Sequence, residues 1–186
     1  MKKILERDEK VLRLVAKEVP IKDILTPKIK KVLKEMSEAL TSQGDGVAIA
    51  APQIGHSLRI FTVSGKIFEK DFLEKRKNKK ERIGEEKVEE IKKPAKVKDL
   101  VFINPKISKL SRDKEWMAEG CLSVRWLYGK TYRSKKALVT AYDENGGKFT
   151  RGGSGLLAQI FQHETDHLNG ILFIDHAKDV KEELPK

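Results

Sequence analysis

Between residues 27 and 42 the apolar positions Ile29, Val32, Leu33, Met36 and Leu40 fall three or four apart, with charged residues filling most of the gaps. That period predicts a helix with one buried face. Thr26 is placed to cap it, Pro27 suits its first turn, and Gly44 follows its end. Leu58 to Val63 is apolar and β-branched and predicts a strand, while Val101 to Leu110, interrupted by Asn104-Pro105, predicts further extended chain. Ala137 to Tyr142 and Lys148 to Arg151 flank Asp143-Glu144-Asn145-Gly146-Gly147, the pattern of a hairpin around a glycine-bearing turn. A second helix is expected from about Gly153 to Leu168, ended by Asn169-Gly170 and followed by a short apolar strand, Ile171 to Ile174. Leu156, Leu157, Ile160, Phe161 and Leu168 make this second helix apolar over a wide arc, so it should be buried. Strands in runs beside two helices predict an α+β architecture, with the second helix packed against antiparallel sheet.

Residues 69 to 99 break this pattern. They hold twelve Lys or Arg against nine Asp or Glu and few large apolar side chains. Such a stretch contributes little core, and it is expected to be a charged surface insertion in a single domain spanning residues 1–186. At this length one domain buries a core without disulfides.

Composition narrows the setting. The single cysteine, Cys121, has no internal disulfide partner, and the N-terminal residues lack a secretory apolar stretch, which together predict a reducing, cytoplasmic location. No apolar run is long enough to span a bilayer, so no membrane role is expected. A formal charge of +11 favours an anionic neighbour such as RNA, a ribosome surface or an anionic membrane surface. The lysines are dispersed and no sequence-specific nucleic-acid motif accompanies them, so most of this charge is expected to be solvated surface.

The chemistry lies in His163-Glu164-Thr165-Asp166-His167, an H-E-x-x-H motif on the second predicted helix. Residues four apart share a helical face, so both imidazoles reach one metal ion while Glu164 stands beside it. The competing explanation is a pair of core histidines satisfied by hydrogen bonds. That arrangement needs several polar partners to offset the cost of burial. A catalytic site needs a third ligand and an open position. Phe173 stands where a metzincin-type third histidine would fall, and only Glu182 and Glu183 remain downstream as a thermolysin-type ligand. His56 and His176 stand in ordinary polar contexts, whereas Cys121 follows a glycine in Glu119-Gly120-Cys121-Leu122-Ser123 and is the better candidate.

Three segments, in order, carry a resemblance: Gly46-Val47-Ala48-Ile49-Ala50-Ala51-Pro52-Gln53-Ile54-Gly55, Glu119-Gly120-Cys121-Leu122-Ser123, and Gln162-His163-Glu164-Thr165-Asp166-His167-Leu168. They resemble the signature motifs of the peptide deformylases, and similarity extends over nearly the whole chain outside the insertion. The resemblance implies antiparallel sheets around a central helix carrying the H-E-x-x-H motif. It also implies removal of the N-terminal formyl group from formyl-methionine of nascent polypeptides, with release of formate. It makes Cys121, His163 and His167 the metal ligands, Glu164 the general acid/base, and Gln53 with the Leu122 N–H the oxyanion donors. The substrate would be an extended peptide along Val47, Ala48 and Gly120, with its methionine side chain near Val47, Met117, Leu156 and Ile160. Fe²⁺ is the ion implied in the cell, while the same ligands accept Zn²⁺ or Ni²⁺. Formylated nascent peptides are the implied partners, with a ribosome contact through basic residues.

Three positions depart from the family pattern: Ala48 replaces a glycine, Arg125 a proline, and Gln159 an apolar residue one helical turn before His163. They bear on substrate preference more than on the reaction. A metallopeptidase, which lacks its third ligand at Phe173, and a non-catalytic metal- or RNA-binding protein are the alternatives. Structural zinc sites close four positions with protein ligands, and only three good candidates are present.

Overall fold

The computed structural model describes residues 2–69, 72 and 97–184; the predicted insertion at 69–99 lies almost wholly outside the described residues. Helices α1 (Pro27–Thr41) and α2 (Leu156–Leu168) accompany eight strands among the described residues. The strands are β1 (Ala48–Ala50), β2 (Ile60–Val63), β3 (Leu100–Leu110), β4 (Lys114–Gly120), β5 (Leu127–Ser134), β6 (Lys136–Tyr142), β7 (Lys148–Ser154) and β8 (Lys178–Glu182). All pairings between them are antiparallel, in a five-stranded sheet ordered β1-β2-β3-β6-β7 and a three-stranded sheet ordered β4-β5-β8. Among the described residues no helix is long and apolar enough to cross a membrane.

Helix α1 buries Ile29, Val32, Met36 and Leu40 as its period requires, against Ile49, Ile54, Ile60 and Ile103. Helix α2 covers the other face of the larger sheet. There Phe161 meets Phe61 and Phe102, ring centroids 6.3 and 5.2 Å away, while Phe61 and Phe102 stack at 4.5 Å. Truncating one of these rings would cost about 3–5 kcal/mol through lost burial and the cavity left behind.

Helix α2 begins at Leu156, because Gly153 and Ser154 continue the β7 ladder opposite Ala137 and Lys136. A side chain at Gly153 would sit 2.9 Å from Leu157 and 3.0 Å from Phe161, so this glycine lets strand and helix approach. The Gln162 amide extends the contact to the smaller sheet, accepting from Ser134 N at 3.0 Å and donating to Ser134 O at 2.9 Å.

The strand expected at Ile171 to Ile174 is absent. Gly170, at φ 74°, turns the chain, and Phe173–Asp175 forms a 3-10 turn in which Asp175 Oδ2 accepts the Leu172 N–H at 2.9 Å. Arg13 donates to the same oxygen at 2.6 Å. An apolar run reads as a strand only where a ladder partner is available; here an aspartate captures the backbone donor instead.

Residues 2–20 are strapped across the molecule. Leu5 N donates to Gln53 O, Ala16 N to Leu168 O, and Lys17 exchanges backbone bonds with Ser57 and Arg59. Asn104, at φ 51° in a bulge of β3, presents its side-chain amide to Val19, accepting at 2.8 Å and donating at 2.7 Å as a strand would.

Candidate metal centre

Residues four apart on α2 face one another as the helical period dictates: the rings of His163 and His167 lie edge to face, centroids 4.8 Å apart. The turn leaving β4 brings Cys121 to them. One ligand atom from each of Cys121, His163 and His167 lies within 4.8 Å of the other two, and Cys121 Sγ is 3.2 Å from His167 Nε2. A thiolate and two imidazoles so placed match the N/S donor set of a tetrahedral divalent ion with one position left for water or substrate.

Behind the site is a buried carboxylate whose part the sequence did not reveal. Glu119 Oε1 accepts from His163 Nδ1 and Arg133 Nη2, each at 2.7 Å. Its Oε2 accepts from Thr131 Oγ1 at 2.6 Å, Arg133 Nε at 3.1 Å and Gln159 Nε2 at 3.3 Å. Burial opposes ionisation of Glu119, but the bonds and charges of His163 and Arg133 outweigh it and hold the carboxyl far below the usual range. Arg133 also reaches Asp166 Oδ2 at 2.6 Å. A proton on His163 Nδ1 aimed at a fixed carboxylate leaves Nε2 as the nitrogen that could ligate and sets the ring's orientation.

Glu164 is 3 % exposed, and its Oε2 has no hydrogen-bond partner. Burial, aided by the charges of Glu119 and Asp166, pushes its carboxyl up to about 7. Burial and the neighbouring His163 push His167 well below its ordinary value, which favours a free nitrogen lone pair.

Gln53 lies in the 3-10 turn Ala51–Ile54 that follows β1. Its Oε1 accepts the Ala50 N–H at 2.8 Å, which orients the amide so that Nε2 donates to Ser123 Oγ at 3.1 Å and lies 3.5 Å from Cys121 Sγ. No protein acceptor takes the Leu122 N–H among the described residues. Of the proposed substrate-side residues, Ala48 and Ile160 are buried in one apolar cluster with Val47 and Leu156 against it. Met117 and Gly120 lie on β4 outside that cluster.

Each departure from the motif pattern has a local explanation. Ala48 is in extended strand opposite Val63, where a methyl group is harmless. Gln159 donates to Ala118 O at 2.8 Å as well as to Glu119, so its polar end serves the carboxylate network. Arg125 forks onto Asp45 at 2.6 and 3.0 Å and reaches Gln43 at 3.1 Å, tying the segment after the cysteine to the segment before β1.

The family model for polypeptide deformylase matches residues 1–183. The chain belongs to the peptide deformylase family. It is 36 % identical over 169 residues to a peptide deformylase of Borreliella burgdorferi, covering 91 % of this chain and 83 % of that one. The crystal structure of a Legionella pneumophila peptide deformylase superposes with a TM-score of 0.75 at 30 % identity, over 96 % of this chain and 87 % of that one. A class I type b peptide deformylase from Acinetobacter baumannii, crystallised with Met-Ala-Ser bound, superposes with a TM-score of 0.73 at 26 % identity, over 93 % and 96 % of the two chains. As a deformylase the chain is a metal-dependent hydrolase that removes the N-terminal formyl group of nascent polypeptides.

The missed residues are Glu119, Arg133, Asp166 and Ser123. Glu119, Ser123 and Asp166 stand inside recognised motifs, and only Arg133 lacked a sequence signal.

Proposed function

We propose that Cys121, His163 and His167 hold the metal ion and that Glu164, Gln53 and Leu122 carry out deformylation around it. The observation that most supports this is the convergence of one sulfur and two ring nitrogens within 4.8 Å beside a buried glutamate with a free oxygen. When bound, the cation supplies acidified water and positive charge for a developing oxyanion. Glu164, with a pKa of about 7, takes the water proton and returns it to the leaving amine. The Leu122 N–H, and the Gln53 Nε2 hydrogen that otherwise points at Cys121 Sγ, donate to the formyl oxygen as it gains negative charge.

The peptide lies along Val47, Ala48 and Gly120, with its first side chain against Met117, Leu156 and Ile160. A formyl-methionyl peptide fits the Met-Ala-Ser bound to the Acinetobacter relative. Helix α2, which contacts strands of both sheets, is the centre on which the site is built. The chain acts as one cytoplasmic catalytic domain, with residues 69–99 as a surface insertion. Fe²⁺ is the working ion, since the mixed thiolate and imidazole set accepts it and availability decides among Fe²⁺, Zn²⁺ and Ni²⁺. The basic surface makes contact with the ribosome.

The test is formate release from formyl-Met-Ala-Ser with metal content measured in parallel. Glu164→Ala should keep its metal and lose nearly all turnover. Loss of metal in that variant, or substantial remaining turnover, would remove Glu164 from the proton-transfer role.

A further inference from the structure

The three-stranded sheet turns Glu119, Thr131 and Arg133 inward, so alternate residues of β4 and β5 face solvent. On that outer face Trp116 and Tyr132 are directly opposite in the β4–β5 register. Their rings lie 5.2 Å apart, yet they remain 46 % and 54 % exposed. Two large aromatic side chains held side by side at a sheet surface leave π-faces and apolar area unburied, which is unusual without a partner.

Cations frame the pair. Lys178 Nζ from β8 lies 4.9 Å from the Trp116 ring, and Lys114 Nζ lies 5.8 Å from the Tyr132 ring. Neither lysine has a carboxylate partner among the described residues; the nearby acids Asp179 and Glu115 pair with Lys130 and Lys135 instead. The face continues from Lys130 to Tyr128, whose ring covers Gly120.

We propose that this face binds single-stranded RNA, with unstacked bases on Trp116 and Tyr132 and phosphates on Lys114 and Lys178. Single strands offer successive bases to an aromatic platform and phosphates to cations beside it, whereas a duplex keeps its bases stacked inside. The charge of +11 supplies long-range attraction to that polymer, and a nascent-chain substrate occurs only beside RNA. An anionic protein segment would use the lysines but leave the exposed ring area of Trp116 and Tyr132 unoccupied. The proposal concerns the face opposite Glu119 and is independent of which residues ligate the metal.

The test is fluorescence anisotropy of a labelled twelve-nucleotide oligouridylate against a duplex RNA of equal length, over a salt series, with the metal-loaded enzyme. Trp116→Ala/Tyr132→Ala should weaken oligouridylate binding at least tenfold, since each stacked base contributes roughly that factor. Lys114→Gln/Lys178→Gln should reduce the slope of log K against log salt by about 1.4, from two phosphates at about 0.7 each. Both variants should hydrolyse formyl-Met-Ala-Ser at the wild-type rate. In a Trp126→Phe protein with an intact platform, oligouridylate should quench the remaining tryptophan, a readout free of any folding defect in the alanine variant. Absent binding, equal affinity for the duplex, an unquenched Trp116, or undiminished affinity in the alanine variant would each overturn the proposal. Dimerisation through this face, or preferential capture of an acidic peptide by it, would do the same.

Discussion

Glu119 Oε1 accepts a 2.7 Å hydrogen bond from His163 Nδ1 at the bottom of the site, and the same carboxylate is held by four further donors from Thr131, Arg133 and Gln159. Removing it would leave the His163 ring free to turn and the Arg133 guanidinium buried beside one carboxylate fewer. Glu119→Gln should lower metal affinity about 10–100-fold, the usual effect of losing a carboxylate behind a ligating histidine. Titration of the apoprotein with Zn²⁺ against a competing chelator checks this. An unchanged affinity would mean that Glu119 serves stability alone.

Cys121→Ala should lose the metal, because two imidazoles at 4.8 Å form an incomplete site. Elemental analysis decides, and a full equivalent of metal in the variant would exclude Cys121 from the ligand set.

Gln53 is fixed by the Ala50 N–H before any substrate arrives. Gln53→Ala should therefore lower kcat by about 10²–10³ with metal retained, the cost of one oxyanion donor. A near-normal kcat would show that Gln53 Nε2 serves only Ser123 and Cys121.

If Fe²⁺ is the working ion, the thiolate of Cys121 exposes the loaded enzyme to oxidation. Activity of the Fe²⁺ form should decay in air and be protected by reductant and catalase, while Ni²⁺ and Zn²⁺ forms persist. Equal half-lives for all three would count against the oxidation argument.

The Arg125 hydrogen bond, with its charge, holds the Asp45 carboxyl below its usual value despite partial burial. A depressed folded pKa stabilises the fold above the unfolded value, near 3.8, and that contribution is lost as pH falls through the folded value. Asp45→Asn should lower Tm slightly at pH 7, by the equivalent of about 1 kcal/mol or less for so exposed a pair. The two melting curves should converge once the pH falls below the folded value. A gap that persists there would assign the effect to something other than charge.

What the sequence carried and what it hid follow from how far each interaction reaches. The H-E-x-x-H pair and the buried face of α1 were legible because both depend on neighbours three or four residues away. Strand β8 was not, since all five of its residues are exposed and no alternation marks it. Strands β4 and β5 hid for a different reason. Their inward positions include Glu119, Thr131 and Arg133, and their outward ones Trp116 and Tyr132, which reverses the usual order of polarity. Arg133 becomes functional only by meeting Glu119 and Asp166 from other elements, a pairing that no local pattern encodes.

The strap formed by the first residues also bears on how the enzyme comes into being. Ala16 is anchored on Leu168, at the end of the motif helix, and Leu5 on the turn that carries Gln53. The segment around Ala16 therefore waits for a partner far later in the chain before it can dock. Contacts so distant along the chain form slowly, and a chain emerging from its amino end cannot complete them until helix α2 is free. A protein that trims others at the start of their synthesis thus cannot close its own strap until the motif helix has been made.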